Sequence, residues 1–307
     1  MNLMIISIVL IYFILQSYEN VFFSVPFTEH FYSLSRIYVY RGKFFMNLKN
    51  LIRKVSLDFP EVPYKNILLK RKLIFFGERV NNTRRDHRYL QVQINGKSKY
   101  ITLPSNNVVI EFVPYHGRKY FFCNRSPFNT YKEAKIYCEL LEKYDSLRTQ
   151  NKHLGVYSLA SKIWRDVWRN CYYKCFSQNH FEELKKRLFI ELGMLRTILH
   201  HSPIKYNKAL EIIAQNHALR NAKKKKLFVY DDEKSKVHEV ATFASPPLAS
   251  VQMNKWYNEY IEEKTDFNKI NKKESRQFYL LFSRRIKSVG IGAYLYRKKL
   301  TIVLTFI

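Results

Sequence analysis

Two predicted strand pairs followed by one helix, within residues 88–144, constrain the fold more than any other feature of the sequence. In the first pair, apolar and polar residues alternate and lead to Asn95-Gly96, which supplies the two positive-φ positions of a type I′ turn. A two-residue loop at that place sets Leu90 opposite Ile101. Strands joined by tight turns and followed by a helix predict an α+β fold.

The second strand pair flanks residues 114–117 and leads into a helix that begins near Thr130. Thr130 and Glu133 form the T-x-x-E pattern of a capping box, which marks a helix N-terminus. A weak match at a shift of 52 residues aligns Cys123 with Cys175 and indicates an internal strand–helix repeat.

Charge is the unusual bulk property of the chain, because 53 Lys and Arg stand against 25 Asp and Glu, a formal net charge of +28. Such an excess repels itself unless a polyanion neutralises it, which favours nucleic acid or an anionic membrane as the partner. Lysine drift in an AT-rich genome is the alternative. Cations distributed along the whole chain suit folded RNA, whose phosphates approach from several sides. The predicted nucleic-acid contacts are Lys70, Arg71, Lys72, Arg84, Arg85, Arg88, Lys97, Lys99, Arg118, Lys119, Lys162, Arg165, Arg169, Lys223, Lys224, Arg284 and Arg285.

Cysteine usage bears on the compartment of the protein. The four cysteines are Cys123, Cys138, Cys171 and Cys175, and the C-terminal part of the chain contains none. Their spacing includes no C-x2-C knuckle, so a zinc site is not predicted. The distribution argues against an oxidising compartment. We therefore predict four reduced, buried thiols.

Residues 1–60 are predicted to form a leader and targeting segment. Leu3 to Leu15 is apolar but shorter than the roughly 20 residues that span a membrane, so it resembles a signal-peptide core. Residues 36–54 follow as a basic amphipathic stretch, which is typical of organelle targeting. The prediction is an organellar location, with the mitochondrion favoured over a plastid. The secretory pathway and a membrane-anchoring helix are the alternatives.

Residues 155–188, GVYSLASKIWRDVWRNCYYKCFSQNHFEELKKRL, resemble the Apetala-type domain, the plant ethylene-response-factor module. The resemblance rests on the opening Gly-Val, on Trp164 and on Phe181. It implies a three-stranded sheet packed on one helix, with strand side chains in a DNA major groove. The alternative is a small basic module with Trp164 and Trp168 in its core. The cations that the resemblance places on strands are Lys162, Arg165, Arg169 and Lys174.

From Phe181 onward the sequence resembles the CAP superfamily, which comprises the pathogenesis-related and cysteine-rich secretory proteins. Five ordered motifs resemble those of the family: N-x-x-R, Pro-Leu, L-x-x-x-A-Q-x-H-A, W-Y-x-E and a final G-x-G before the closing strand. The resemblance implies an α-β-α sandwich over residues 181–307. The residues that carry it are Arg196, Pro203, Ile204, Leu210, Ala214, Gln215, His217, Ala218, Trp256, Tyr257, Glu259, Phe278, Phe282, Gly290 and Gly292.

The CAP resemblance also implies a pocket of two His and two Glu, but this chain lacks both histidines at the matching positions. Two carboxylates and one amide form a poor zinc site, so we predict no metal and no other cofactor. The two Glu are expected to persist as buried hydrogen-bonding groups, and His217 to lie at the edge of the core. Catalytic motifs such as G-x-S-x-G and H-E-x-x-H are absent, so we predict that the chain is not an enzyme. The degenerate pocket positions are Phe228, Glu239, Glu259 and Gln277.

The sequence therefore predicts a leader (1–60), a basic β-rich module with the Apetala-type resemblance (61–180) and a degenerate CAP-type domain (181–307). The leading hypothesis is a non-catalytic structural protein of a mitochondrial or plastid ribosome, or a similar ribonucleoprotein. Its partners would be ribosomal RNA and neighbouring proteins, and its hydrophobic leader would provide any contact with a membrane. The alternatives are a secreted or membrane-peripheral CAP protein that binds lipid, and a DNA-binding regulator of Apetala type.

Overall fold

In a computed structural model the chain has the predicted α+β fold, with helices and two separate sheets. It divides into two compact units, an N-terminal unit that ends at Glu142 and a C-terminal unit that begins at Lys143. The residues that the structure describes are 21–32, 35–72, 88–92, 98–103, 108–229, 231–232, 237–265 and 279–307.

One mixed sheet organises the N-terminal unit. Its strands are β1 (Phe22–Tyr32), β2 (Ser35–Tyr40), β3 (Lys43–Phe45), β4 (Ile67–Lys72), β5 (Arg88–Val92), β6 (Ser98–Thr102), β7 (Val109–Tyr115), β8 (Arg118–Cys123) and β9 (Ser126–Phe128). The strand order is β6-β5-β4-β1-β7-β8-β9, with β2 paired to β1 and β3 to β2. Strand β1 is central and runs parallel to both β4 and β7. Two helices accompany the sheet, α1 (Leu48–Asp58) and α2 (Tyr131–Tyr144).

Aromatic rings form the core of this unit. The centroid of the Phe23 ring lies 4.9 Å from that of Phe59 and 5.4 Å from that of Tyr131. Phe112 lies 4.9 Å from Phe59, again edge to face. All four side chains are buried. Each such pair stabilises the fold by about 0.5–1.5 kcal/mol beyond the area that it buries.

Helix α2 begins at the predicted capping box, where the backbone N–H of Glu133 donates to Thr130 Oγ1 at 3.2 Å. A disulfide joins Cys123 of β8 to Cys138 of α2, with 6.0 Å between their Cα atoms. The prediction of reduced thiols is therefore wrong for this pair. The C-x14-C spacing does not reveal that strand and helix lie side by side, and this is what brings the two sulfurs together.

The two predicted hairpins have different outcomes. The β7–β8 turn is tighter than the predicted four-residue connection, since Tyr115 pairs with Arg118 and only His116 and Gly117, both with positive φ, form the turn. In the β5–β6 pair Leu90 lies opposite Tyr100, not Ile101. The predicted register is therefore wrong by one residue. The observed pairing requires an odd number of residues between the two strands, whereas a two-residue turn requires an even number. Asn95-Gly96 lies outside the described residues.

Residues 22–58, predicted as part of a leader and targeting segment, instead supply three strands and one helix of the sheet unit. The apolar residues of the basic amphipathic stretch face the core, where Leu51, Ile52 and Val55 are buried. The hydrophobic run Leu3 to Leu15 lies outside the described residues. None of the helices that the structure describes is both long and apolar enough to cross a membrane.

The C-terminal unit is a layered α-β-α structure, as the CAP resemblance implies. Its helices are α3 (Ser158–Val167), α4 (Tyr173–Phe176), α5 (Gln178–Ile198), α6 (Lys208–Lys224) and α7 (Gln252–Thr265). Its strands are β10 (Lys205–Tyr206), β11 (Asp231–Asp232), β12 (Val237–Ala244), β13 (Ser288–Tyr296) and β14 (Lys299–Phe306), in the order β10-β13-β14-β12-β11. Helix α6 packs on β13 and β14, and residues on both faces of β14 are fully buried.

The Apetala-type prediction for residues 155–188 is wrong. Residues 158–167 form helix α3 rather than a strand, and 173–176 form helix α4, so the predicted repeat does not extend to this segment. The reason is an amphipathic pattern with a helical period, which buries Ile163, Trp164 and Val167 on one face. The earlier segment, β7-β8-β9 followed by α2, does have the order of three strands and one helix.

The division between the units lies near residue 142 rather than at the predicted 180. Contacts within the C-terminal unit explain the difference. The indole N–H of Trp164 donates to the Ser250 carbonyl at 2.9 Å, and the backbone N–H of Gly155 donates to Asn254 Oδ1 at 2.8 Å. Cys171 and Cys175 form a second disulfide here, and no free cysteine is present, so the thiol prediction is wrong for this pair as well.

Candidate functional site

The glycine motif of β13 allows a close approach of helix and sheet. A Cβ atom at Gly290 would lie 2.0 Å from the backbone nitrogen of Glu211, and one at Gly292 would lie 2.3 Å from the backbone of Ala214. Helix α6 therefore lies directly on the strand, with Ala214 and its small neighbours packed against Val303. Any larger residue at either glycine forces the helix away.

Gln215 fixes the register of that contact. Its side-chain amide donates to the Ala293 carbonyl at 3.0 Å, and its carbonyl accepts from the Ala293 N–H at 3.1 Å. These two bonds satisfy the backbone N–H and carbonyl of Ala293 in β13, where helix α6 covers the strand. In this chain the Ala-Gln pair of α6 thus has a structural role.

Arg196 has a similar structural role on helix α5. The guanidinium is fully buried and donates to four carbonyls, those of Leu281 at 3.2 Å, Ser283 at 2.8 Å, Ile286 at 3.0 Å and Ser202 at 3.5 Å. Burial lowers the pKa of Arg196 from its usual value. The side chain therefore orders the loop that leads into β13.

Glu239 is the best-defined polar group near the predicted pocket. It is fully buried on β12, where its Oε1 lies 2.5 Å from His217 Nδ1 and accepts from Thr305 Oγ1 at 2.9 Å. The sequence predicted a buried hydrogen-bonding Glu239 but not its pairing with His217. The pairing was missed because the two residues are adjacent only through the approach of α6 to the sheet. A buried carboxylate that holds an imidazole fixes the tautomer and orientation of the ring.

The other predicted pocket positions do not join this pair in a closed site. Phe228 is partly exposed, with Lys224 and Lys226 amines 5.2 and 5.3 Å from its ring centroid. Glu259 is exposed on helix α7, so the prediction of a second buried carboxylate is wrong. Helical spacing explains this, since Trp256 and Tyr260 occupy the buried face of α7. Gln277 lies outside the described residues.

A metal-ligand arrangement occurs elsewhere in the described part of the chain. Ligand atoms of Cys171, Cys175 and Glu183 lie within 4.8 Å of one another. Both sulfurs are bonded to each other, and Glu183 Oε1 lies 2.7 Å from Arg187 Nε. With the sulfurs in a disulfide, no thiolate is available as a metal ligand.

Glu191, a buried acid, follows this disulfide segment in the sequence. Glu191 of α5 is fully buried, and its Oε2 accepts from the Trp168 indole N–H at 2.7 Å. Its Oε1 has no hydrogen-bond partner among the described residues. Burial raises the pKa of Glu191 to about 8, against the smaller opposing effect of the Trp168 bond.

A shallow polar groove lies between the N-terminal ends of α5 and α6. Lys185 Nζ is buried there and donates to Glu182 at 2.5 Å and to Glu211 at 2.7 Å. Lys208 bonds the second oxygen of Glu211 at 2.7 Å. Because these charges neutralise one another, the groove has no clear excess charge to attract an ion.

The predicted nucleic-acid contacts of the N-terminal unit do not form one face. Lys70 bonds Glu111 at 2.9 Å and Arg71 bonds Glu29 at 3.1 Å, so both are engaged within the sheet. The remaining described contacts are exposed along strand ends, namely Lys72, Lys99, Arg118 and Lys119. Arg84, Arg85 and Lys97 lie outside the described residues, and the side chain of Arg88, at the start of β5, is also outside them.

The predicted contacts of the C-terminal unit are all exposed. They are Lys162, Arg165 and Arg169 on and after α3, Lys223 and Lys224 at the end of α6, and Arg284 and Arg285 before β13. Arg169 pairs with Asp166 at 2.9 Å. These side chains occupy different elements, so the unit presents dispersed cations rather than a single basic groove.

Comparison with known proteins adds the following similarities. Residues 19–140 match the model of a domain of unknown function, DUF7381. No curated protein matches this chain in sequence. Among solved structures, the chain is similar to the venom allergen-like protein 4 of Schistosoma mansoni, with 14% identity over 41% of this chain and 88% of that one, at a TM-score of 0.34.

Two further solved structures are similar to this chain at comparable identity and TM-score. NaASP2 with Zn2+ has 14% identity over 41% of this chain and 80% of that chain, at a TM-score of 0.32. An extracellular protein containing an SCP domain from Bacillus anthracis has 14% identity over 40% of each chain, at a TM-score of 0.28. The fold of the C-terminal unit is defined by its own sheet order and motif contacts.

Proposed function

We propose that this chain is a non-catalytic binding protein of an oxidising compartment, reached through the secretory pathway, and that its basic surface binds an anionic lipid surface. The observation that carries the proposal is the pair of disulfides, Cys123–Cys138 and Cys171–Cys175. Disulfides persist in secreted proteins and are rare where glutathione keeps thiols reduced. They favour the secretory alternative over an organellar ribosome.

The charge of the chain supports an anionic partner. The net charge is +28, and exposed cations are present in both compact units. Anionic lipids attract each nearby Lys or Arg by about 1 kcal/mol, so several weak contacts add up to stable binding. Dispersed cations suit a fluid lipid surface because lipid headgroups can rearrange beneath them.

The proposal of a non-catalytic role rests on the His217–Glu239 pair. Glu239 Oε1 contacts both His217 and Thr305, and this arrangement orients one half-buried imidazole. Hydrolytic chemistry needs a nucleophile or a metal-bound water next to such a base. Among the described residues no group of three metal-ligating side chains includes this histidine.

Thiol trapping in cells tests the compartment. Cells that express the tagged full chain are treated with a maleimide reagent before lysis, and the mass of the protein is measured without reduction. We expect none of the four cysteines to be modified and all four to react after reduction. A native chain that carries four maleimides contradicts the oxidising compartment.

Flotation of cell lysate on a density gradient tests the partner. The chain is expected to float with membranes, to resist ribonuclease and to leave the membranes at high salt, because salt screens its contacts with lipid headgroups. A chain that stays at the bottom of the gradient with ribosomal RNA contradicts lipid binding.

An RNA-contacting structural protein of an organellar ribosome remains the second candidate. The observation that favours it is the exposure of the described C-terminal contacts on several separate elements. Co-sedimentation with ribosomal RNA that ribonuclease abolishes would support it. In that case binding should weaken steeply with salt and depend little on short sequence motifs.

A further inference from the structure

We propose that the β2–β3 hairpin and the start of helix α1 dock the protein on an anionic phospholipid bilayer. The docking residues are Lys43, Phe44, Met46, Lys49 and Arg53, called here the hairpin patch. This inference rests on the proposed function and assigns lipid binding to one surface of the N-terminal unit.

The turn between β2 and β3 projects the patch from the sheet. Arg41 and Gly42 both have positive φ, 51° and 75°, as in a two-residue type I′ turn. Tyr40, which is buried, pairs with Lys43 at the base of that turn. The buried end of the hairpin fixes its position, while the residues after the turn face outward.

Two large apolar side chains of the patch are strongly exposed. Phe44 is 74% exposed and Met46 is 69% exposed. They lie two residues apart, Phe44 on β3 and Met46 just after the strand. Phe44 also lies opposite the half-buried Val39, which extends the apolar ridge onto β2. Grouped apolar side chains with a polar rim are typical of interaction sites.

The cations of the patch lack acidic partners among the residues that the structure describes. Lys43, Lys49 and Arg53 are exposed and form no ion pair with any described residue. The nearby carboxylate of Asp58 is already engaged by Arg41 at 3.4 Å and Lys54 at 2.5 Å. Lys49 and Arg53 are four residues apart on α1 and therefore share one stripe of the helix.

An anionic bilayer fits this combination better than other partners. Phe and Met reach the boundary of headgroups and acyl chains, while Lys and Arg contact lipid phosphates. An RNA surface would use rings for stacking and polar side chains for base edges, and Met46 offers neither. Protein interfaces are enriched in Phe, Met and Arg but depleted of lysine, so Lys43 and Lys49 favour lipid phosphates over a protein partner.

Vesicle co-sedimentation of the full-length protein tests the hairpin patch. The vesicles contain phosphatidylcholine alone or phosphatidylcholine mixed with phosphatidylserine. We expect binding to the mixed vesicles and little to phosphatidylcholine. The double variant Phe44→Ser, Met46→Ser should bind at least about tenfold more weakly, because the apolar contacts with the acyl boundary are lost. The matched control is Tyr115→Ser, since Tyr115 is 62% exposed at a different hairpin of the same unit.

Variants that neutralise the cations of the hairpin patch provide an independent test of the proposal. Lys43→Gln with Lys49→Gln should weaken binding to the mixed vesicles roughly 25-fold, at about fivefold for each cation. The control Lys162→Gln with Arg165→Gln removes the same charge from an exposed helix of the C-terminal unit and should have a clearly smaller effect. All variants change exposed residues, so unfolding temperatures close to that of the wild type are expected and are measured first.

Insertion is read out directly with Phe44→Trp. Its emission should shift to the blue with mixed vesicles, whereas that of Tyr115→Trp should not. If the wild type binds mixed vesicles and the Phe44→Ser, Met46→Ser variant binds them equally well, the hairpin patch is overturned while the proposed function stands. If the wild type ignores the vesicles, both are overturned. Loss of binding to structured RNA, rather than to vesicles, in the same variant overturns the bilayer in favour of RNA.

Discussion

The N-terminal and C-terminal units stabilise their cores with different kinds of contact. In the N-terminal unit, Phe23, Phe59 and Phe112 pack edge to face, and a disulfide joins strand to helix. In the C-terminal unit, buried polar side chains such as Arg196 and Gln215 bind backbone atoms directly. Packed rings tolerate small shifts, whereas side-chain bonds to backbone require a fixed geometry. The C-terminal unit should therefore be the less tolerant of a change in backbone spacing.

The largest expected effect is that of Gly290→Ala. Its Cβ would lie 2.0 Å from the backbone of Glu211, so helix α6 must move. We expect a loss of about 4 kcal/mol or more of unfolding free energy, which hydrogen exchange at β13 and β14 would detect.

The matched control is Gly193→Ala on α5, where no atom lies within 4 Å of the new Cβ. Because alanine favours the helix, this variant should gain about 0.5–1 kcal/mol. Equal stability of the two alanine variants would show that the close approach of α6 is not required.

Removing each disulfide in turn compares the two units, because a disulfide stabilises the fold mainly by restricting the unfolded chain. Replacing Cys123 and Cys138 with Ala opens a link of sequence separation 15 and should cost about 3 kcal/mol. Replacing Cys171 and Cys175 with Ala opens a link of separation 4 and should cost about 2 kcal/mol. Urea unfolding of the two double variants measures the difference. A larger loss for the shorter link would indicate that its role is to hold α4 in place.

A pH dependence of stability is expected from Glu191. Burial raises its folded-state pKa to about 8, above the ordinary 4.5. The folded protein therefore binds the proton more tightly than the unfolded chain. Stability should be full at low pH and decline as pH rises from about 4.5 to about 8, by at most about 1.4 kcal/mol per pH unit.

Glu191→Gln keeps an acceptor for the Trp168 indole and removes the titration. Its unfolding free energy should vary less between pH 5 and pH 8, a range chosen as roughly that between the two pKa values. Thermal unfolding of both proteins at several pH values measures this. Parallel curves for wild type and variant would show that Glu191 does not titrate in that range.

The sequence was informative where one local rule decides the structure. The capping box at Thr130 marks a real helix start, and the α-β-α layers follow the order of motifs after Phe181. The glycines at 290 and 292 matter because of the helix that lies on them, and the resemblance placed them correctly.

Sequence reasoning failed where contacts between distant elements decide the structure. The Cys123–Cys138 bond depends on β8 lying beside α2, and the His217–Glu239 pair on α6 lying on the sheet that contains β12. Residues 158–167 read as strands because a loose resemblance outweighed their helical period. The sequence also did not indicate that Phe44 is exposed, since a phenylalanine after a turn more often packs inward.

The parallel pairing of β1 has a consequence for the order in which the N-terminal unit assembles during translation. Residues 28–32 pair with β2, which follows at once. The earlier residues of β1 stay unpaired until later strands are synthesised, because Phe23 pairs with Ile67 on one side and Ile110 on the other. At about 5–20 residues per second, this apolar half-strand stays unpaired for several seconds after it leaves the ribosome. The rate of synthesis thus sets how long that segment is open to mispairing or to capture by a chaperone.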